Sequence, residues 1–268
     1  MLQKTSFTIS SEGNALRGQI LRPGEVVGPN RTVIICHGFE SSMHVTRKYA
    51  PIFTELGYTV IIFDFTRSGT GISDGDSTTM SVLTEERDLF NVMDYARSLR
   101  SVDSRHITLS GCSQGGFVAA LAAGAKPELV EHLVLFYPGF NIPHMARHGY
   151  LPDFKVDPYN IPDTFKARKV TLGRVYLTDA MQLDPWREIR PFQKPVIIVH
   201  GKEDEAVDVR YSELAAKEYK DCTLIEVHGD HGLFKYGFRP AKAATQRELR
   251  RWDAEEAMKL DNLKRADS

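Results

Sequence analysis

Gly111-Cys112-Ser113-Gln114-Gly115 places a hydroxyl between two residues without side chains. The apolar run Ile107-Thr108-Leu109-Ser110 leads into it, and the small-residue run Gly116-Phe117-Val118-Ala119-Ala120-Leu121-Ala122-Ala123 leads out. A strand that turns directly into a helix at G-x-S-x-G strains the central residue and lifts its side chain clear of the sheet. Ser113 is therefore the candidate nucleophile. Gly111 and Gly115 are required where strand and helix approach too closely for a Cβ.

A serine hydroxyl at its free pKa is a poor nucleophile, so a base and an orienting acid must stand elsewhere. After the apolar run Pro195-Val196-Ile197-Ile198-Val199 the chain reads His200-Gly201-Lys202-Glu203-Asp204-Glu205-Ala206-Val207, which offers Asp204 as the acid, with Glu203 and Asp208 as neighbouring rivals. After Thr223-Leu224-Ile225-Glu226-Val227 comes His228-Gly229-Asp230-His231-Gly232, which offers His231 as the base, with His228 as its rival. Loops beyond the C-terminal ends of parallel strands gather at one rim, so these distant positions can converge on Ser113. Asp230 reads as a residue that caps or orients its own loop.

Acyl transfer also needs donors for the charge that develops on the carbonyl oxygen. Val33-Ile34-Ile35-Cys36 reads as a buried strand followed over the same rim by His37-Gly38-Phe39-Glu40. The backbone N–H groups of Phe39 and Gln114 are the expected oxyanion hole. His37 reads as a packed side chain that holds this loop by hydrogen bonds. Asp64 reads as a strand-end carboxylate tying down the glycine loop that follows it.

Taken together, His37-Gly38-Phe39, Gly111-Cys112-Ser113-Gln114-Gly115-Gly116, His200-Gly201-x-x-Asp204-x-x-Val207 and Gly229-Asp230-His231 resemble the serine carboxylesterases of the α/β-hydrolase superfamily. Phe63-Asp64-Phe65, Gly71-Ile72-Ser73-Asp74-Gly75 and Met80-Ser81-Val82, with Ser113-Gln114-Gly115-Gly116, are similar to bacterial cinnamoyl or feruloyl esterases, although the Asp64-to-Ser73 loop is longer than usual there. The resemblance implies an α/β-hydrolase fold, a mostly parallel central sheet flanked by helices, with residues 1–138 and 191–268 as the core. It implies a small lid over the pocket at residues 139–190, where Pro143, Pro152, Pro158, Pro162 and Pro185 stand among scattered aromatics with no clean strand. Within that lid Phe140, Tyr150, Phe154, Tyr159, Phe165, Tyr176 and Trp186 could stack on an aromatic acyl group, and Asp153, Asp179, Tyr159 or Tyr176 could bond a phenolic hydroxyl. The implied substrate is a small-molecule carboxylic ester. Thioesters, peptides, lipids and a low-turnover sensor role stay open, because such residues define acyl transfer and not the acyl group.

The elements that must position these residues alternate along the chain as strand and helix, the pattern of a sheet covered on both faces. A hairpin around Glu12-Gly13-Asn14 opens it, inner strands are expected near 32–36, 59–63, 107–110, 133–136, 195–200 and 223–227, and helices near 49–56, 83–100, 114–123, 209–218 and 240–260. In the last helix Leu249, Trp252 and Leu260 fall near one face. A chain of 268 residues can bury a large core. Its 34 basic and 35 acidic residues leave a formal charge of −1, which gives no electrostatic case for nucleic acid or an anionic membrane. Cys36, Cys112 and Cys222 lie in or beside apolar runs and read as buried reduced thiols. No run is long enough to span a bilayer and the N-terminus does not read as a secretory signal, so the cytoplasm is the expected location. His144 and His148 have helical spacing but no third ligand in register, and serine chemistry needs neither metal nor cofactor, so none is expected. Homodimers are common in such folds, but no interface is legible here.

Overall fold

Short runs dominated by Val, Ile, Leu and Phe read as strands buried on both faces, and five strands built around such runs form the middle of an eight-stranded sheet. The computed structural model describes residues 2–24, 26–151, 154–234 and 236–266. The strands are β1 (Leu2–Ser11), β2 (Asn14–Pro23), β3 (Asn30–Cys36), β4 (Thr59–Phe63), β5 (Val102–Cys112) and β6 (His132–Phe136). Two short hairpins follow, β7 (Tyr150–Leu151) with β8 (Phe154–Lys155) and β9 (Thr164–Ala167) with β10 (Val170–Gly173), and then β11 (Val196–Gly201) and β12 (Cys222–Val227). The sheet order is β1-β2-β4-β3-β5-β6-β11-β12, with β1, β2 and β4 antiparallel to their neighbours in turn and every pair from β4 to β12 parallel. The β1–β2 turn has Glu12 at φ 47° and Gly13 at φ 82°, the pair of positive φ values that a tight hairpin with the native twist demands.

The helices are α1 (Met43–Thr46), α2 (Ala50–Thr54), α3 (Val82–Ser98), α4 (Gln114–Ala125), α5 (Ile142–His148), α6 (Val175–Gln182), α7 (Pro185–Ile189), α8 (Arg210–Glu218) and α9 (Phe238–Ala266). Alternate residues of each inner strand serve the two faces of the sheet. Ile34, Ile61 and Leu109 pack with α3, α4 and the 139–190 segment, while Val33, Ile35, Val60 and Ile62 pack with α2 and α9. In α9, Leu249 and Trp252 are buried as the helical spacing implies, and Trp252 stacks on His132 with ring centroids 4.4 Å apart.

Two expectations change. Strand β5 begins at Val102 rather than Ile107, because Asn30 pairs with Val102 across a register shift, and the intervening Asp103-Ser104-Arg105 carries no apolar pattern. The 139–190 segment, expected to lack clean strands, holds the two hairpins; strands of two and four residues are too short to show a period.

Helix α3 carries two carboxyl groups into the core. Its N-terminus is a capping box in which Ser81 accepts from the Thr84 N–H and Thr84 accepts from the Ser81 N–H. One turn on, Glu85 and Asp88 are buried. Burial, against a hydrogen bond from Gln114 and with help from the charge of Asp88, pushes the Glu85 carboxyl up to about 8. Burial likewise raises Asp88 to about 6, although Ser11 and Thr66 donate to it.

Two outcomes follow from this packing. Leu249→Ala should cost about 2–5 kcal/mol in urea unfolding through the cavity it leaves under α9. The unfolded chain releases the Glu85 proton near the ordinary 4.5 while the folded chain holds it to about 8, so this group lowers stability progressively as pH rises through that window. Glu85→Gln should match wild type at pH 4.5 and exceed it at pH 8 by an amount on the order of a few kcal/mol; parallel pH profiles for the two proteins would contradict the burial of a protonated acid.

Candidate active site

At the C-terminal end of β5 the backbone turns into α4 through a single residue. Ser113 has φ 53° and ψ −125°, outside the regions a side chain ordinarily adopts. Such a conformation costs on the order of 1–3 kcal/mol and persists only where its surroundings hold it. Here the Ser113 N–H donates to the Phe136 carbonyl at 3.0 Å, and the Ser113 carbonyl accepts from the N–H groups of Gly116 at 3.0 Å and Gly139 at 2.8 Å. The flanking glycines are required by contact: a Cβ at Gly111 would stand 2.2 Å from the Gly115 carbonyl oxygen, and one at Gly115 2.2 Å from the His37 oxygen.

The structure brings His231 and Asp204 to this hydroxyl. His231 Nε2 lies 3.1 Å from Ser113 Oγ, and His231 Nδ1 lies 2.8 Å from Asp204 Oδ2. With Nδ1–H donating to the carboxylate, Nε2 keeps its lone pair toward the hydroxyl. Asp204 sits on the loop after β11, where its Oδ1 accepts from the N–H groups of Ala206 and Val207, both at 2.9 Å. Burial alone would raise its carboxyl, but hydrogen bonds from His200 and His231, joined by the Val207 N–H, hold it well below the usual carboxylate range.

The rivals are engaged elsewhere. Glu203 and His228 pair with each other at 2.8 Å on the surface, and Asp208 pairs with Arg210. Asp230 accepts from the Phe234 N–H at 2.9 Å within its own loop. His37 accepts at Nε2 from the Phe65 N–H at 3.1 Å, so its Nδ1 carries the proton and donates to the Gly38 carbonyl at 2.8 Å. Burial lowers the pKa of this ring, in keeping with the neutral form. Asp64 accepts from the N–H groups of Met43 and Ile72, which fastens the glycine loop as expected.

Phe39 and Gln114 both border the cavity above Ser113, and their backbone N–H groups have no acceptor among the described residues. Glu40, at φ 50°, accepts from the N–H groups of Lys169 and Val170, which ties the Phe39 loop to the β9–β10 hairpin. The cavity encloses about 210 Å³; Ile142, Met145, Val207 and the rings of Phe39 and Tyr176 give it apolar walls. The Phe39 and Tyr176 rings lie 5.8 Å apart.

Of the side chains expected to meet an acyl group, Tyr176 alone borders the cavity among the described residues. Tyr159 is 98% exposed in the turn after β8 and does not border the cavity. Trp186 is turned to a separate cleft of about 680 Å³ with His144, Arg210 and Tyr211, because Asp184 caps α7 through the Trp186 N–H and sets the ring against Phe140. Asp153 lies outside the described residues. Asp179 accepts from Ser81 at 2.5 Å and so serves α3.

Four residues escaped the sequence reading. His200, the penultimate residue of β11, lies 3.2 Å from Asp204 Oδ2 through Nε2, which also donates to the Val207 carbonyl, while Nδ1 meets Ser212 at 2.6 Å. Its spacing of four from Asp204 was the available signal. Tyr137 follows β6 at the same rim and sets its ring edge-on to His231, centroids 4.7 Å apart. Lys48 donates to the Gly232 carbonyl at 2.7 Å and lies over the Phe234 ring, which steadies the His231 loop; nothing in its local sequence marks it. Glu85 accepts from Gln114 Nε2 at 2.8 Å, hidden in a charged run that reads as a solvated face.

Comparison with known proteins bears on the fold. A family model for the alpha/beta hydrolase fold matches residues 31–187. The solved structure of Est1E from Butyrivibrio proteoclasticus, with ferulic acid bound, superposes with a TM-score of 0.87 at 28% identity and covers 92% of this chain and 99% of that one. YqkD of Bacillus subtilis (strain 168) is 29% identical over 244 residues, 87% of this chain and 74% of its own length. The human acylamino-acid-releasing enzyme is 24% identical over 197 residues, 70% of this chain but 26% of its own length. With the family match covering more than half of its residues, the chain belongs to the α/β-hydrolase fold family.

Proposed function

We propose that this chain is a serine esterase that hydrolyses carboxylic esters of small, largely apolar acids, hydroxycinnamic acids among them, within a cavity covered by the 139–190 segment as a lid. The observation that carries the reading is the continuous hydrogen-bonded line from Asp204 through His231 to Ser113 Oγ, ending on a strained backbone at the floor of a cavity. His231 Nε2 takes the Ser113 proton as Oγ attacks the ester carbonyl, and Asp204 holds the imidazolium that forms. The N–H groups of Phe39 and Gln114 hold the oxyanion. Collapse of the tetrahedral adduct expels the alcohol, which takes the proton from His231. Water, deprotonated by the same imidazole, then attacks the acyl-enzyme and releases the acid with Ser113 restored.

The aromatic preference rests on the rings of Phe39 and Tyr176 in the cavity wall and on the likeness to Est1E, whose structure holds ferulic acid. Water excluded by the 139–190 segment strengthens every charge interaction at the oxyanion site.

A panel running from acetate through butyrate to ferulate methyl esters, with one thioester and one peptide, tests the substrate class. Turnover is expected on the esters, with the highest kcat/KM on the aromatic acid; preference for the thioester or peptide would overturn the ester assignment. Ser113→Ala should retain the fold and lose roughly 10⁴–10⁶-fold in kcat. Only a neutral imidazole can accept the serine proton, so the rate should fall in acid, and a rate flat from acid to neutral pH would count against that base.

A further inference from the structure

Gln114 sends its backbone into the site and its side chain into the core. The side chain is 1% exposed and held at both ends: Nε2 donates to Glu85 Oε2 at 2.8 Å, and Oε1 accepts from the Tyr176 hydroxyl at 2.7 Å. These three residues come from α3, α4 and α6, so the chain of bonds runs from the core, through the residue after Ser113, to the segment that covers the cavity. Tyr176 also meets the ring of Phe39. The two residues whose N–H groups border the cavity unpaired are thus both braced by one tyrosine, and that tyrosine is fixed through Gln114 to one buried acid. A second tie, Ser81 to Asp179, seats α6 on the first turn of α3 beside it.

We infer that Glu85 is a positioning residue for acyl transfer, acting through Gln114 and Tyr176 to hold the two oxyanion donors in register. The inference rests on the esterase reading for its reaction and goes beyond it in assigning a role to a side chain that cannot touch substrate. An isolated ionised carboxylate would be costly there, so the acid has to work in its neutral form. The groups that face it are Asp88 on its own helix, Cys36 on β3, Tyr176 on α6 and Gln114 on α4. No cation among them would hold the charge. A carboxamide can accept from Gln114 Nε2 as the acid does, whereas an alkyl side chain of similar size orphans a buried N–H and releases Gln114 from one end.

The experiment compares Glu85→Gln, Glu85→Leu and Tyr176→Phe with wild type. Each is read by kcat and KM on p-nitrophenyl acetate and on methyl ferulate, by the rate constant for labelling by diisopropyl fluorophosphate, and by Tm. The expected result is a fall of about tenfold in kcat and in labelling rate for Glu85→Leu and Tyr176→Phe, on both esters, with KM within about twofold, and values within about twofold of wild type for Glu85→Gln. The acetyl ester separates the roles. If Tyr176 only contacted an aromatic acyl group, Tyr176→Phe would raise KM for ferulate and leave acetate and labelling unchanged, and the inference would be overturned. Unchanged kcat and labelling in a folded Glu85→Leu would overturn it equally. Should Glu85→Leu fail to fold, Tyr176→Phe and Glu85→Gln still decide, since they break and preserve the same line of bonds. A wild-type protein that is labelled at Ser113 yet turns over no ester would sink the esterase reading, while the labelling rates would still decide the role of Glu85.

Discussion

Everything at the rim is arranged around one strained peptide unit. Ser113 takes a backbone conformation that costs free energy, and the fold holds it there from three directions: the Phe136 carbonyl on β6, the first turn of α4, and the N–H of Gly139 where the 139–190 segment departs. Two glycines make the approach of strand and helix feasible, since a methyl group at either would overlap a backbone oxygen. Because β5 lies in the middle of the sheet, paired on one side with β3 and on the other with β6, the strain is backed by a buried lattice that cannot relax locally. The result is a hydroxyl that projects from the sheet edge and does not follow either element's side-chain direction.

The polar groups that meet this hydroxyl are ordered by a different principle. Asp204 is saturated with donors: two backbone N–H groups, His200 from beneath and His231 from the site. A carboxylate held in that way stays charged despite its burial, and it fixes the imidazole by its geometry. Tyr137, pressed edge-on against His231, and Lys48, bonded to the next carbonyl in the loop, leave the ring little room to turn. In the proposed mechanism the same arrangement that orients neutral His231 would stabilise the imidazolium. Glu85 is the counterpart on the other side of Ser113, an acid kept neutral by burial where Asp204 is kept ionised by donors. Two carboxyl groups about the same turn are thus driven to opposite protonation states by their surroundings.

How much of this could be read in advance follows from where the information is stored. The core strands were legible because short runs rich in Val, Ile and Leu recur between helical segments, and the rim residues were legible because each follows such a run closely. The residues that bear on the site from further away were not. Glu85 stands in Thr84-Glu85-Glu86-Arg87-Asp88, which looks like a solvated helix face, yet in the fold Glu85 is buried and bonded to Gln114. Tyr159 and Tyr176 are alike as letters, and only the docking of α6 against α3 leaves one in the solvent and the other in the cavity. Trp186 was drawn elsewhere by the cap at Asp184, a local bond whose effect on ring direction depends on α7 being in place. Rival pairs such as Glu203 with His228 and Asp204 with His231 were separable by loop geometry alone, since residues one or three apart leave a loop in different directions.

The central claim is that Ser113 is activated by His231. The most direct test is the location and rate of reaction with a fluorophosphonate probe, followed by intact-mass and peptide mass spectrometry across pH, for wild type and His231→Ala. One adduct per chain is expected, on Ser113, forming faster at neutral than at acid pH in wild type and slowed by at least about a hundredfold in His231→Ala. Labelling at another residue, or a Ser113 adduct that forms as quickly without the imidazole, would contradict it.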